Sequence, residues 1–174
     1  NYVHGVPFFS VSLALERNGE LLVGTVYNPV AGECFTAISG QGAYLNAVRV
    51  HTSRVTHLEN ALVSMGFPAV VTPECPDLRL FNEAVLVCQS MRRTGSAALN
   101  LAYVAAGRFD LAWTYCSKVW DLAAGTLLVR EAGGVVSSFD GNDLRLDHGP
   151  AIAAANRTLH AEMMALVRRA GIKG

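Results

Sequence analysis

The stretch Val119-Trp120-Asp121-Leu122-Ala123-Ala124-Gly125, continuing as Thr126-Leu127-Leu128-Val129-Arg130-Glu131-Ala132-Gly133-Gly134, decides how this chain is read. It places one carboxylate, Asp121, among apolar and small residues in the first turn of a helix expected over 120–131, with Gly133-Gly134 as its stop. An ionised carboxylate in such surroundings is costly unless something positive holds it. Asp121 therefore reads either as a helix-entry acid on the partial positive charge of the helix terminus or as a ligand for a hard divalent ion, with Trp120 excluding water on one side. Spacing leaves both readings open.

Toward the N-terminus, two more elements lead up to this helix. Asp110–Tyr115 reads as a strand, and Gly95-Ser96-Ala97-Ala98 opens a small-residue helix that Gly107 closes. That opening follows the strand Met91–Thr94, so its backbone N–H groups and the Ser96 hydroxyl suit an anion or a polyhydroxylated ligand. They equally suit close packing of a helix on a sheet. Before them, Ala61–Met65 reads as a strand and 78–89 as a helix with Leu78, Phe81, Val85 and Cys88 on one face. Beyond Gly134, Val135–Phe139 and Ala151–Ala155 read as strands, and Arg157–Arg169 as an amphipathic helix with Leu159, Met163, Leu166 and Val167 inward.

The first sixty residues have a different period. Phe9, Val11, Leu13 and Leu15 alternate with Ser10, Ser12, Ala14 and Glu16, which predicts a half-buried strand. Asn18-Gly19 between two apolar runs is a strong hairpin signal, because both central residues tolerate positive φ. Gly40-x-Gly42 has no helix pattern or Lys-Ser/Thr behind it and reads as a turn or bulge. Residues 1–60 thus form an antiparallel meander, and residues 61–174 alternate strand and helix. The expected fold is a layered α/β (α+β) sandwich.

Composition narrows the function classes. An apolar content of 51% with 16% charged residues fits one well-buried domain in 174 residues. Fourteen basic against 14 acidic residues give no broad field for nucleic acid or an anionic membrane. Cys34, Cys75, Cys88 and Cys116 lack CxxC spacing, which argues against a zinc knot or redox pair and predicts free buried thiols in a reducing compartment. No apolar run approaches the roughly 20 residues of a membrane span, so a soluble, cytoplasmic protein is expected. Asp140, Asp143 and Asp147 fall in a solvated turn, Glu131 near a helix end, and Glu16 and Glu20 beside a hairpin. His51, His57 and His148 fall in loops, and His4 is expected as a buried, hydrogen-bonded histidine.

Four blocks in order, Asn1–Phe9, Gly40–Asn46, Arg92–Arg108 and Trp120–Gly125 with the following Glu131-Ala132-Gly133-Gly134, resemble the inositol monophosphatase family over essentially the whole chain. The resemblance implies an α-β-α-β-α sandwich, usually a homodimer, and a Mg²⁺-dependent phosphomonoesterase acting through a metal-activated water. Asp121 matches the family aspartate on the second metal ion. Gly95, Ser96 and Ala97 match the helix start that lines the substrate pocket. The family's first signature, Asp-Pro-x-Asp-Gly-Thr-Thr-Asn, would end at Asn1, so its metal-binding and water-activating residues are expected upstream. No catalytic residue is assigned within the 174, and the chain alone is expected to be inactive. Six residues before Trp120, where the family commonly has a substrate-binding glutamate, stands Thr114. The substrate is accordingly a small sugar or polyol phosphate, with inositol phosphate, histidinol phosphate and fructose 1,6-bisphosphate all open. A truncated, non-catalytic relative is the alternative.

Overall fold

A computed structural model describes residues 1–146 and 149–172; Asp147 and His148 lie outside the described residues. The central element is the helix opened by Trp120-Asp121. It runs Val119–Glu131 and is buried on almost every side from Leu122 to Val129. Small residues allow this. Gly24 in a facing strand is so close to the helix that a Cβ there would stand 2.9 Å from Ala124 O, and a Cβ on Gly125 would stand 2.4 Å from Leu101 Cβ in a neighbouring helix. Backbone thus approaches backbone on one side and side chain on the other.

The facing strand belongs to a five-stranded antiparallel meander, β1 (Val11–Arg17), β2 (Glu20–Asn28), β3 (Glu33–Ile38), β4 (Gly42–Leu45) and β5 (Val48–Val50), ordered as in the chain. The β1–β2 turn is Asn18-Gly19, with φ of 56° and 84°, the two-residue hairpin expected from the sequence. The expectation for β1 itself is corrected. Val11, Leu13 and Leu15 are all exposed, because β1 is an edge strand and no described residue covers that face.

A second sheet contains β6 (Leu62–Met65), β7 (Ser90–Arg92), β8 (Leu111–Thr114), β9 (Val135–Ser137) and β10 (Ala151–Ala154), in the order β7-β6-β8-β10-β9. β6 runs parallel to β7 and β8, and β10 antiparallel to β8 and β9. Four helices complete the layers: α1 (Pro76–Ala84), α2 (Ala97–Ala105), α3 (Val119–Glu131) and α4 (Arg157–Arg169). α2 and α3 lie between the sheets, and α1 and α4 pack together on the far face of the second sheet. The result is a mixed α/β sandwich with β-α-β-α layers among the described residues.

Alternation in the second sheet separates two cores. Ala112, Ala151 and Ala153 face α2 and α3, whereas Leu111, Trp113, Ile152 and Ala154 face α1 and α4. Small side chains on the inner face let the paired helices sit close; large ones on the outer face fill the space under α1 and α4. α4 has the expected bounds, with Asn156 as N-cap accepting from Leu159 N at 3.0 Å. α1 is shorter than expected, and its inward residues are Leu80 and Ala84. Val85 is 47% exposed, because the helix ends at Ala84 and the chain then turns away.

Candidate functional site

Both helices of the middle layer begin at one cleft of about 490 Å³. α2 starts after β7, and α3 after β8. Because β7 and β8 flank β6 and all three run parallel, their C-terminal ends lie on one side of the sheet. Ligands of open α/β sheets bind outside such ends. Gly95, Ser96, Ala97, Thr114 and Asp121, the residues singled out in the sequence, all line this cleft.

The α2 start is built for close approach. Gly95 has φ +85°, and a Cβ there would stand 2.8 Å from Asn1 Nδ2. Asn1 Nδ2 donates to Thr94 O at 2.9 Å and Phe8 O at 2.6 Å, tying the N-terminal segment to the β7–α2 turn. The Thr94 hydroxyl donates to Oδ1 of buried Asn100 at 2.5 Å, and Ser96 Oγ caps the helix by accepting from Leu99 N at 3.4 Å. The first turn of α2, whose leading amides a helix leaves without intrahelical partners, thus borders the cleft. Asn1, Thr94 and Asn100 form a frame that sequence reasoning missed. The available signal was Asn100, a polar residue inside an otherwise apolar helix.

At the α3 start, Asp121 meets the helix-entry reading and also faces the cleft. Its Oδ2 accepts from Lys118 N at 3.2 Å, and its own N–H donates to Lys118 O at 2.9 Å. Asp121 is thus a helix-entry acid, while its half-exposed carboxylate also lines the cleft. Trp120 departs from expectation. It is 66% exposed and shields little, because it points outward from the first turn while Leu122, Ala123 and Ala124 turn inward.

Thr114 Oγ1 and Ser117 Oγ lie 2.7 Å apart across the turn that leads into α3. Arg93 is the cationic side chain on the cleft wall, its guanidinium 5.1 Å from the centroid of Phe67. The wall therefore offers one cation, two helix starts, several hydroxyls and one carboxylate. Oxygen donors suit a hard cation such as Mg²⁺, which takes one or two carboxylates together with waters and substrate oxygens. Asp121 can supply one such ligand. Among the described residues, no group of three or more His, Cys, Asp or Glu is placed to hold a metal by itself.

The other acids have structural roles or none. Glu131 accepts from Gly40 N and Gly42 N, each at 2.7 Å, which explains the Gly40-x-Gly42 turn. Asp140 and Asp143 are exposed. His4 is corrected: it is exposed, in a 3-10 turn at the chain start. His57 pairs with Glu162 at 2.9 Å. All four cysteines are free; Cys75 is buried, but Cys116 is exposed on the cleft wall, because it lies in a turn and not under a sheet. Among the described residues, no helix is long and apolar enough to cross a membrane.

Comparison with known proteins agrees with this fold. A family model described as the inositol monophosphatase family matches residues 1–171. The Nus factor SuhB of Pasteurella multocida is 44% identical over 158 residues, covering 90% of this chain and 59% of the relative. An inositol-1-monophosphatase of Mesorhizobium japonicum is 39% identical over 170 residues, covering 97% and 64% respectively. Among solved structures, the extragenic suppressor protein SuhB of Bartonella henselae superposes with a TM-score of 0.92 at 38% identity, covering 97% of this chain and 65% of that one. The chain thus spans about 60% of the length of the curated relatives it matches.

Proposed function

The chain belongs to the inositol monophosphatase family, and on that premise we propose that it contributes one wall of the active site of a Mg²⁺-dependent phosphomonoesterase for a small polyol or sugar phosphate. The observation that carries the reading is the meeting of Gly95, Ser96, Ala97, Thr114 and Asp121 on one cleft. The α2 start presents backbone N–H groups and the Ser96 side chain to an oxygen-rich ligand. Arg93 adds a positive charge for an anionic group. Thr114 gives the ring-binding side a short neutral hydroxyl, which leaves inositol phosphate, histidinol phosphate and fructose 1,6-bisphosphate as candidate substrates. Asp121 is held by the Lys118 amide at 3.2 Å and supplies one carboxylate ligand. When bound, Mg²⁺ would neutralise phosphoryl charge and activate a water. The remaining ligands are not among the described residues, so the 174 residues alone should bind Mg²⁺ weakly. A homodimer in the cytoplasm belongs to the same proposal.

Phosphate release from the three substrates, with and without Mg²⁺, tests this in the native protein. Asp121→Asn is expected to lower Mg²⁺-dependent release by about 100-fold or more, since a metal ligand contributes several kcal/mol of transition-state stabilisation. Release that is independent of Mg²⁺ or untouched by Asp121→Asn would refute the reading. Tight stoichiometric Mg²⁺ binding by the 174 residues, lost on the same substitution, would show that they hold a complete metal site.

A further inference from the structure

Asp77 is in the first turn of α1, on the far side of the second sheet from α2 and α3, and is fully buried. Its Oδ1 accepts from Tyr115 N at 3.0 Å. Among the described residues, its Oδ2 has no hydrogen-bond partner, and neither has the buried indole Nε1 of Trp113. The indole acts on the same carboxyl without reaching good hydrogen-bond geometry. The bland account is a first-turn acid on the helix dipole. The contact argues otherwise, because the carboxyl accepts from the β8–α3 turn, 38 residues away, and from no amide of α1.

That turn borders the candidate site. Tyr115 follows Thr114, Cys116 and Ser117 line the cleft, and α3 begins at Val119. Among the described residues, the bond to Asp77 is the one hydrogen bond that the Tyr115–Ser117 backbone makes. The Tyr115 ring packs edge-on against Phe139, with centroids 5.6 Å apart, so ring and backbone are fixed by separate contacts.

We propose that Asp77 is a positioning residue of the cleft: from the outer helix layer its carboxyl fixes the start of the Tyr115–Lys118 turn, and through it Thr114 on one side and the first turn of α3, with Asp121, on the other. Its catalytic consequence rests on the phosphatase reading; its hold on the turn does not. Burial pushes the Asp77 carboxyl up to about 6, outweighing the Tyr115 amide and the Trp113 indole, which lower it. Above that value the Tyr115 N–H donates to a carboxylate, a bond roughly twice as strong as a neutral one; below it the hold weakens. The titratable groups around it are Cys75 at the N-cap of α1, and Cys116 and Lys118 on the turn. Burial, then the Asp77 charge, raises the Cys116 thiol. Farther along α1, Arg79 donates to Gly171 O at 3.3 Å, and Glu83 pairs with Arg169 of α4 at 2.6 Å.

Two kinds of measurement test this. The first needs no substrate. In NMR, the Tyr115 amide and the Trp113 indole N–H should titrate together with a midpoint near 6, and Asp77→Asn should abolish that titration. Alkylation of Cys116, located by mass spectrometry, should be roughly two- to tenfold faster in Asp77→Asn, because the turn is freed and the thiolate loses a like-charged neighbour. A Tyr115 amide with no inflection between pH 5 and 7 would overturn the proposal; this wild-type titration stands even if the variant does not fold. Equal Cys116 alkylation in a folded variant would overturn it too. The second measurement is Mg²⁺-dependent phosphate release by the native protein, as in the test of the phosphatase reading, and not by the 174 residues alone. Asp77→Asn should lower kcat by about tenfold or more, with KM little changed, as displacement of positioned groups does. Unchanged kcat in an enzyme that otherwise releases phosphate would show that the turn does not set the site. No release from wild type would instead defeat the phosphatase reading, with the NMR and alkylation results still judging Asp77.

Discussion

Gly125→Ala sets two effects of opposite sign against each other. In an isolated helix, replacing an interior glycine by alanine stabilises by about 1 kcal/mol. Here the new methyl would stand 2.4 Å from Leu101 Cβ and 2.6 Å from its Cδ1, where carbon atoms normally rest roughly 3.5–4 Å apart. Leu101 Cγ and Cδ1 can rotate away, but Cβ moves only with the α2 backbone. α3 cannot retreat toward the meander either, because Gly24 already sits against Ala124 on that side. The helices must part by about 1 Å, which forfeits a quarter to a half of each contact along the seam, and overpacking of this kind costs about 1–3 kcal/mol. Taking about 3 kcal/mol for a clash against an atom next to the backbone, the net loss is about 2 kcal/mol. For a chain of this size that lowers Tm by about 4–8 °C. Thermal and denaturant unfolding of the full chain would measure it. Leu101→Ala in the same background should recover part of the loss, so that the double variant is less destabilised than the sum of the singles. A Gly125→Ala protein as stable as wild type, or more so, would falsify the claim that the middle layer is close-packed at this point.

Two further outcomes follow from contacts that link distant parts of the chain. Glu131→Gln replaces one of two acceptor oxygens by a donor facing Gly40 N or Gly42 N; it should cost about 1–2 kcal/mol, read as a lower midpoint in urea and faster exchange of those two amides. Glu33 is held below its ordinary value of 4.5, chiefly by the hydrogen bond from Arg108 at 2.5 Å. With a depressed folded pKa, this stabilisation is present above pH 4.5 and is lost as pH falls through the lowered value. Arg108→Met should therefore lower stability at pH 7 by about 1 kcal/mol, with the difference from wild type shrinking below pH 4. Part of the loss should remain at low pH, because the guanidinium also stacks over Tyr103 with 4.8 Å to the centroid. A difference independent of pH would mean that Arg108 acts through packing alone.

Local chemistry made much of this legible in the sequence. Asn18-Gly19 fixed a hairpin because few residue pairs tolerate two positive φ values in succession, and the apolar spacing of α4 gave its bounds because both ends carry their own cap chemistry. Gly95-Ser96-Ala97 and Asp121 were readable as helix starts. That they share one cleft follows from β7 and β8 running parallel beside β6, which no local pattern states. The misreadings have a common cause. β1 alternates as a half-buried strand should, yet no described residue covers the face that carries Val11, Leu13 and Leu15. Val85 and Cys88 continue a helical period past the point where α1 stops. Glu131 looked like an ordinary acid at a helix end, because the glycines whose amides it binds lie about ninety residues earlier. Asp77, in the first turn of a helix, is indistinguishable by spacing from a solvated acid.

Asp77 is also where stability and site geometry part company. A rise from the ordinary 3.8 to about 6 amounts, at about 1.4 kcal/mol per unit, to roughly 3 kcal/mol. The sign follows from the raised value. The folded state binds the proton more tightly than the unfolded one, so stability from this group is greatest below pH 4, falls as pH rises toward 6, and at neutral pH the ionised carboxyl is a net burden. A well-packed apolar residue would avoid that burden, so the fold gains nothing from a carboxylate at this position for its own stability. What only an acceptor can do there is hold the Tyr115 amide, next to Thr114 and four residues before α3 begins. Asp121 meets the cleft directly at a helix start that offsets its charge; Asp77 acts on the same cleft from behind the sheet, and it does so best in the ionised form that the fold favours least.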